Sequence, residues 1–180
     1  MDVEFNLQTL KEKALNFVPS KPNDIFALET IKEAICAAES GSFGIGAILV
    51  NEDTKEIVCR GQNKVFTQYR SDLHAEMDLL NTFEVQNGSK SREMLRKLTI
   101  YTSLESCPMC LCRIITSGVA KVYHIADDDR GGMVHLYKQL PIIWQEISKN
   151  RVFLKADCSK ELSEIALQAF LVTAHLDDKL

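Results

Sequence analysis

The sequence predicts an α/β protein, a three-layer α/β/α sandwich around a mixed five-stranded sheet. Five short segments have the composition of strands, and apolar residues at helical spacing mark the helices between most of them. Only the short polar turn NEDTK separates the first two strands, so they should form an antiparallel hairpin. Helices separate the later strands, and such crossovers mostly join parallel strands. Together these patterns predict one mixed sheet between two helical layers.

The N-terminal part of the chain supplies two helices and the hairpin. Apolar spacing predicts a helix at about 5–17 and a second one at about 24–40, separated by PSKPND. The tripeptide SGS ends the second helix, and GAILV and EIVCRG are the predicted hairpin strands.

The middle of the chain predicts a helix, a strand, a helix and a strand. SDLHAEMDLLNTF has helical apolar spacing, with Ser71 or Asp72 as the expected N-cap. LTIYTS is the predicted third strand, CPMCLCRIITSG a helix ended by Gly118, and AKVYHIA the fourth strand.

The C-terminal part follows the acidic turn DDDRGG. We expect a helical stretch at about 132–148 that is interrupted near Pro141, and then the strand RVFLKA. A final helix should start at Ser159 or Lys160.

Composition is that of an ordinary globular protein. The chain has 180 residues, of which 46% are hydrophobic and 26% are charged. This length suits a single domain over residues 1–180, large enough to bury a core without help from disulfides.

Charge and cysteine content narrow the expected partners. The net charge is −4, and the densest basic stretch, SKSREMLRK, is interrupted by Glu93. Proteins that grip a phosphate backbone usually carry basic clusters, so we expect a small-molecule substrate and no nucleic acid. Six cysteines without a secretory leader indicate reduced thiols and a cytoplasmic location. The longest apolar run, GIGAILV, is too short to span a bilayer, so no membrane partner is expected.

Three cysteines lie close together in SLESCPMCLCR, at positions 107, 110 and 112. If Ser106 is the N-cap of the following helix, Cys107 and Cys110 lie nearly one turn apart on the same side. Cys112 lies about 200° around the helix from Cys110 and cannot share that side. The spacing therefore predicts Cys107 and Cys110 as metal ligands and Cys112 as a packing residue. A structural zinc site and a redox pair remain alternatives for a Cys-x-x-Cys motif taken alone.

The segment LHAEM offers the remaining groups of a metal site. A catalytic zinc takes three protein ligands and one water, and His74 would supply the third ligand. Near a helix N-terminus, His74 can reach the metal while Glu76 addresses the adjacent water. Thiolates at a helix N-terminus are stabilised by the positive end of the helix dipole. This pattern predicts two helix N-termini that converge on one Zn²⁺ ion.

HAE followed by CPMC closely resembles the zinc-dependent cytidine deaminase superfamily. FGIGAILV, GQN and IYTSLESCPMCLCRIITSGVAKVYH extend the resemblance over about residues 25 to 155, chiefly to its guanine deaminase and tRNA adenosine deaminase branches. The resemblance implies the same fold, zinc held by His74, Cys107 and Cys110, and Glu76 as the general base that moves protons. It also implies that Asn63 and the backbone of Ala75 contact the substrate ring.

Some positions depart from the family pattern. Ser106 stands where the family normally has a proline, and a serine caps a helix well, so the metal site should stay intact. The extra N-terminal helix (about 1–20) and the C-terminal helical tail (about 156–180) match no pattern of the family.

The acidic turn is a further candidate for substrate contact. In the guanine deaminase branch an acidic residue of this region helps to hold the substrate, which implies this role for one of Asp127, Asp128 and Asp129. A solvated acidic turn is the alternative interpretation.

Together these features predict a hydrolytic deaminase that removes the exocyclic amine of a free nucleobase or nucleoside and releases ammonia. A purine such as guanine is favoured over cytosine, and a homodimer is expected from the resemblance. The alternatives are a tRNA adenosine deaminase and a catalytically silent, zinc-stabilised partner subunit. Glu76 argues against the silent subunit, since such a subunit needs no general base.

Overall fold

The computed structural model describes residues 6–179 and contains the predicted five-stranded sheet. Its strands are β1 (Gly46–Asn51), β2 (Glu56–Gln62), β3 (Thr99–Leu104), β4 (Lys121–Ala126) and β5 (Val152–Lys155). Its helices are α1 (Leu7–Asn16), α2 (Asp24–Glu39), α3 (Ala75–Asn87), α4 (Ser91–Leu95), α5 (Pro108–Ser117), α6 (Ile142–Ser148) and α7 (Lys160–Leu171). Short 3₁₀ turns lie at Gly88–Lys90, Tyr137–Gln139 and Ala174–Lys179.

The strand order is β2-β1-β3-β4-β5. Strand β1 pairs antiparallel with β2 and β3, whereas β3, β4 and β5 run parallel. The predicted mixed sheet is therefore confirmed. Because α5 connects β3 to β4, its N-terminus lies at the carboxyl end of β3, where α/β proteins commonly place their binding sites.

Helices cover both faces of the sheet, so the predicted three-layer sandwich is confirmed. Alternate residues of β1 point to opposite layers: Ile48 and Val50 join the core under α2 and α7, and Ala47 and Leu49 join the core under α3. Helix α1 packs against the outer side of α2 and α7, the helices that cover one face of the sheet. Among the described residues, no helix combines the length and the apolar character needed to cross a bilayer.

Asp24 ties the start of α2 to the start of α7. Its carboxylate accepts hydrogen bonds from the backbone N–H groups of Ser20, Lys21 and Ser159, and from the Ser159 hydroxyl. Burial alone raises the pKa of this carboxyl, but these donors favour the charged form more strongly and lower the pKa to about 2. The contact fixes the position of α7, which also reaches the candidate site.

The expected starts of α2 and α7 are confirmed at Asp24 and Lys160, but those of α3 and α5 were wrong by one to a few residues. Helix α3 starts at Ala75 with His74 as its N-cap, because residues 64–73 form turns that end in the Leu73 N–H to Arg70 carbonyl bond. Helix α5 starts at Pro108 with Cys107 as its N-cap, one residue later than expected.

The expected helical stretch at 132–148 is only partly helical. Its first residues donate backbone N–H groups elsewhere: Met133 donates to the Ser106 carbonyl and His135 donates to the Glu105 carboxylate. Helix α6 therefore starts at Ile142, after Pro141.

Candidate active site

The N-termini of α3 and α5 meet beside the end of β3. His74 and Cys107 are the N-caps of the two helices, and Pro108 occupies the first turn of α5, where a missing N–H costs nothing. Gly61 of β2 allows the close approach of α3, since a Cβ at this position would lie 2.4 Å from the Ala75 carbonyl oxygen. The predicted convergence of two helix N-termini is thus present in the fold.

His74, Cys107 and Cys110 form a group whose ligand atoms all lie within 4.8 Å of one another. The Cys107 Sγ lies 3.6 Å from the His74 Nδ1. Tetrahedral zinc with its usual Zn–S and Zn–N bond lengths places such a pair about 3.6 Å apart. The three residues therefore fit a zinc ion without rearrangement of this pair. Cys112 is outside the group and packs against a small hydrophobic cluster of Leu111, Ile115 and Leu140.

The electrostatics of the group favour a thiolate at Cys107. A hydrogen bond from Cys110 lowers the pKa of Cys107 to about 4, and the same bond raises the pKa of Cys110. The contact with Cys107 raises the pKa of His74. The positive end of the α5 dipole also favours charge on sulfur at this position.

Glu76 lies in the first turn of α3 and is 3% exposed. Its Oε1 accepts a hydrogen bond of 2.7 Å from the Ser106 hydroxyl. Burial raises the pKa of the Glu76 carboxyl. A raised pKa makes the carboxylate a better proton acceptor than an exposed one, which suits a general acid–base catalyst.

A cavity of about 200 Å³ opens onto these groups. It is lined by Phe43, Ile45, Asn63, His74, Glu76, Leu104, Glu105, Cys107, Asp128, Gly131 and Phe170. The structure thus brings most of the predicted site residues to one pocket.

Asn63 is fully buried in the wall of this cavity. Its Oδ1 accepts from the Ser42 hydroxyl (2.6 Å) and the Val65 N–H (3.2 Å). Its Nδ2 finds no hydrogen-bond partner within the part of the chain that the structure describes. Since buried polar groups are nearly always paired, this amide is a candidate donor to a ligand.

The remaining predicted residues lie at different distances from the cavity. Ala75, the first residue of α3, is buried between His74 and Glu76, and its N–H has no acceptor within the helix. Asp128 lines the cavity. Asp127 instead pairs with His124 and Lys155, and Asp129 is exposed. The structure therefore separates Asp128 from its two neighbours.

Sequence reasoning missed several lining residues. Glu105 accepts hydrogen bonds from the His135 N–H (2.7 Å), the His135 Nδ1 (2.9 Å) and the Asp128 N–H (3.2 Å), so it holds the acidic turn against the cavity. Its position beside the cysteine motif was the only signal in the sequence. Phe170 comes from α7 and contacts Phe43 with ring centroids 6.1 Å apart. No local pattern placed that distant residue at the site.

Comparison with known proteins agrees with this geometry. Residues 22–126 match the model of the cytidine and deoxycytidylate deaminase zinc-binding region. The tRNA-specific adenosine deaminase of Bacillus subtilis is 38% identical over 110 residues, which are 61% of this chain. The matched part spans 65% of that relative's own length.

Solved structures share the fold. Guanine deaminase from Nitrosomonas europaea aligns with a TM-score of 0.64 over 97% of this chain and 98% of its own, at 18% identity. A structure from work on tRNA:A34 deaminases, which edit A to I at the wobble position of tRNA, aligns with a TM-score of 0.62 at 23% identity. That alignment covers 72% of this chain and 97% of the other chain.

The family match spans the His74 and Cys107–Cys110 segments that converge in the fold, and it names a zinc-binding region. The resemblance seen in the sequence is confirmed: this chain belongs to the cytidine and deoxycytidylate deaminase family of zinc-dependent deaminases.

Proposed function

We propose that this chain is a zinc-dependent hydrolytic deaminase that removes the exocyclic amine of a purine base. The observation that carries the proposal is the placement of the buried Glu76 carboxylate, which lines the same cavity as the ligand group of His74 and Cys107. In this proposal His74, Cys107 and Cys110 hold the zinc. When bound, zinc supplies activation of the attacking water by lowering its pKa.

The other steps belong to residues of the chain. Glu76 accepts a proton from the attacking water and returns it to a ring nitrogen of the base. The oxygen of the water then forms a bond to the carbon that bears the amine, and Glu76 transfers the remaining proton of this oxygen to the amine. The C–N bond breaks, ammonia leaves, and the oxygen stays on the carbon as a carbonyl. Glu76 carries protons between these groups and ends the cycle unchanged.

Asn63, Ala75 and Asp128 are the proposed substrate-contacting residues. The Nδ2 of Asn63 and the N–H of Ala75 are donors and suit acceptor atoms of a purine ring. Asp128 at the cavity wall accepts hydrogen bonds and suits an N–H on the edge of the base. A cavity of about 200 Å³ is smaller than the ~300–1,000 Å³ pockets of drug-sized ligands. The size supports entry of a single base.

Adenosine within tRNA has stronger support as the substrate than a free base or nucleoside. The Bacillus subtilis relative that is 38% identical is a tRNA-specific adenosine deaminase. Enzymes that modify bases in nucleic acids extrude the target base into a pocket, so a base-sized cavity is compatible with a tRNA substrate. This support outweighs the expectation of a free base, which rested on the net charge and on the acidic turn.

A free purine or nucleoside is the second candidate. Phe170 of α7 lines the cavity together with Phe43, and apolar aromatic walls suit the ring of a small ligand. The fold of guanine deaminase also matches this chain along 97% of its length, including the terminal helices.

One assay distinguishes the two candidate substrates, adenosine within tRNA and a free purine or nucleoside. The zinc-loaded protein is incubated with tRNA, guanine, adenine, adenosine and cytosine, and ammonia release and inosine formation in tRNA are measured. Conversion of tRNA adenosine at a rate that falls as the salt concentration rises supports the first substrate, because contacts to phosphate depend on salt. Turnover of guanine or adenosine alone supports the second. An absence of turnover on every purine contradicts the proposed function.

Pairing with a second copy of the chain remains a prediction. Light scattering at working concentrations should report twice the mass of the 20.3 kDa chain. A mass of one chain contradicts it.

A further inference from the structure

We propose that Ser106 is a positioning residue for Glu76. Its hydroxyl holds one oxygen of the carboxylate, so that the other oxygen exchanges protons with the attacking water and the base. This inference rests on the proposed function, because it assigns Ser106 a part in the same reaction. It concerns a position at which the chain departs from the family pattern, in which a proline precedes the first cysteine.

The contact is short and shielded from water. The Ser106 hydroxyl lies 2.7 Å from the Glu76 Oε1, within the usual range of an O–H···O hydrogen bond. Ser106 is 1% exposed and Glu76 is 3% exposed. Water therefore cannot readily replace the hydroxyl as a donor, and hydrogen bonds to a charged acceptor are the stronger class.

The backbone that carries the hydroxyl is itself fixed. The Ser106 carbonyl accepts a hydrogen bond of 2.9 Å from the Met133 N–H. On one side Glu105 is held by His135 and Asp128, and on the other side Cys107 begins α5. Ser106 thus belongs to the segment that also supplies a candidate metal ligand. The hydrogen bond from Ser106 therefore holds the Glu76 carboxylate at a fixed position relative to the candidate metal ligands.

The consequence for proton transfer is specific. With Oε1 engaged, Oε2 takes the proton when an O–H bond of the attacking water breaks. The same Oε2 gives that proton to a nitrogen of the base. The Ser106 O–H bond stays intact throughout and only orients the acceptor. Small errors in the placement of catalytic groups cost large factors in rate, so loss of this orientation should lower kcat.

Two substitutions remove the hydroxyl in different ways. Ser106→Ala deletes only the oxygen, and Ser106→Pro introduces the residue of the family pattern, which has no donor. Ser117→Ala is the matched control: Ser117 is a buried serine at the other end of α5, whose hydroxyl donates to the Ile114 carbonyl. Zinc content, melting temperature, kcat and KM are measured for the purified holoenzymes.

We expect kcat to fall about 10- to 100-fold in both Ser106 variants, the rate equivalent of losing a hydrogen bond to a charged group. KM and zinc content should stay at wild-type values. Ser117→Ala should match the wild type in kcat, KM and zinc content, and its melting temperature reports what the loss of a buried hydroxyl alone costs in stability. A wild-type kcat in Ser106→Ala overturns the proposal. Loss of zinc together with activity also overturns it, since the role of Ser106 would then be structural.

A crystal structure of Ser106→Ala supplies a measurement that does not depend on turnover. The Glu76 carboxylate should occupy more than one orientation in the variant and a single orientation in the wild type. A single, unchanged orientation in the variant overturns the positioning role. If the wild type converts no base, the proposed function fails, but this comparison still decides what Ser106 does.

Discussion

The Nδ1 of His74 and the Sγ of Cys107 lie 3.6 Å apart, although 33 positions separate the two residues in the sequence. This separation fits two ligands of one tetrahedral zinc ion. It arises because His74 and Cys107 are the N-caps of two helices that start side by side. Side chains at the N-terminus of a helix lie at its end, so those of two adjacent helices can point toward one metal ion.

Metal content should depend on the three residues of the group and not on the third cysteine. His74→Ala, Cys107→Ser and Cys110→Ser should each leave the protein with much less than one zinc per chain. Cys112→Ser should keep a full equivalent, because Cys112 lies outside the group. Metal analysis of the purified variants checks this, and a requirement for Cys112 together with a dispensable Cys110 would contradict the assignment.

Asn63→Asp should impair substrate binding while leaving the fold in place. The new carboxylate can still accept from the Ser42 hydroxyl and the Val65 N–H, but the donor at Nδ2 is gone. An unpaired buried group costs about 1–3 kcal/mol, so kcat/KM should fall about 10- to 100-fold. Steady-state kinetics with a parallel melting curve tests this, and unchanged kinetics would remove Asn63 from the substrate contacts.

The three aspartates of the acidic turn should differ in effect. Asp128→Asn should lower kcat/KM, because Asp128 lines the cavity. Asp129→Asn should have little effect, since Asp129 is exposed, and it serves as the matched control. Asp127→Asn should act mainly on stability through the loss of its ion pair with Lys155. Equal kinetics in all three variants would favour a solvated turn without a substrate contact.

Asp24 should make stability depend on acid pH. Its pKa is lowered from 3.8 to about 2 in the folded protein, so its contribution is complete above about pH 4 and is lost as pH falls toward 2. Asp24→Asn should lower the free energy of unfolding by about 1–3 kcal/mol at neutral pH. The difference from the wild type should shrink below pH 4. Urea unfolding at several pH values measures it.

The control for this prediction is Asp53→Asn, because Asp53 is exposed in the hairpin turn. It should leave the free energy of unfolding close to that of the wild type at every pH. An Asp24→Asn difference that stays constant from neutral pH to pH 2 would show that the charge of Asp24 contributes nothing.

The sequence predicted the strands and most of the helices because their signals are local. Alternating and continuous apolar runs mark each strand, and Gly118 ends α5 with a positive φ of 97°, as a C-terminal glycine should. Helix starts were less certain, because several polar residues before a helix can serve as its cap. Ser71, Asp72 and Ser106 are all good caps by type, yet none has that role.

The missed parts of the site depend on contacts between distant segments. Glu105 holds the acidic turn through His135, and Phe170 reaches the cavity from α7. The helix expected at 132–148 is shortened for the same reason, since its backbone donates to the site. No periodic pattern encodes such long-range hydrogen bonds. The metal motif was found because its cysteine spacing is local and chemically specific.

The substitution Glu76→Gln tests the central claim most directly. The amide keeps the size of the side chain and can still accept from Ser106, but it cannot carry a proton. With the substrate that the wild type converts, we predict a full equivalent of zinc, an unchanged melting temperature and ammonia release lowered by a factor of about 10²–10⁴. Ammonia release at the wild-type rate from the zinc-loaded variant would contradict the account.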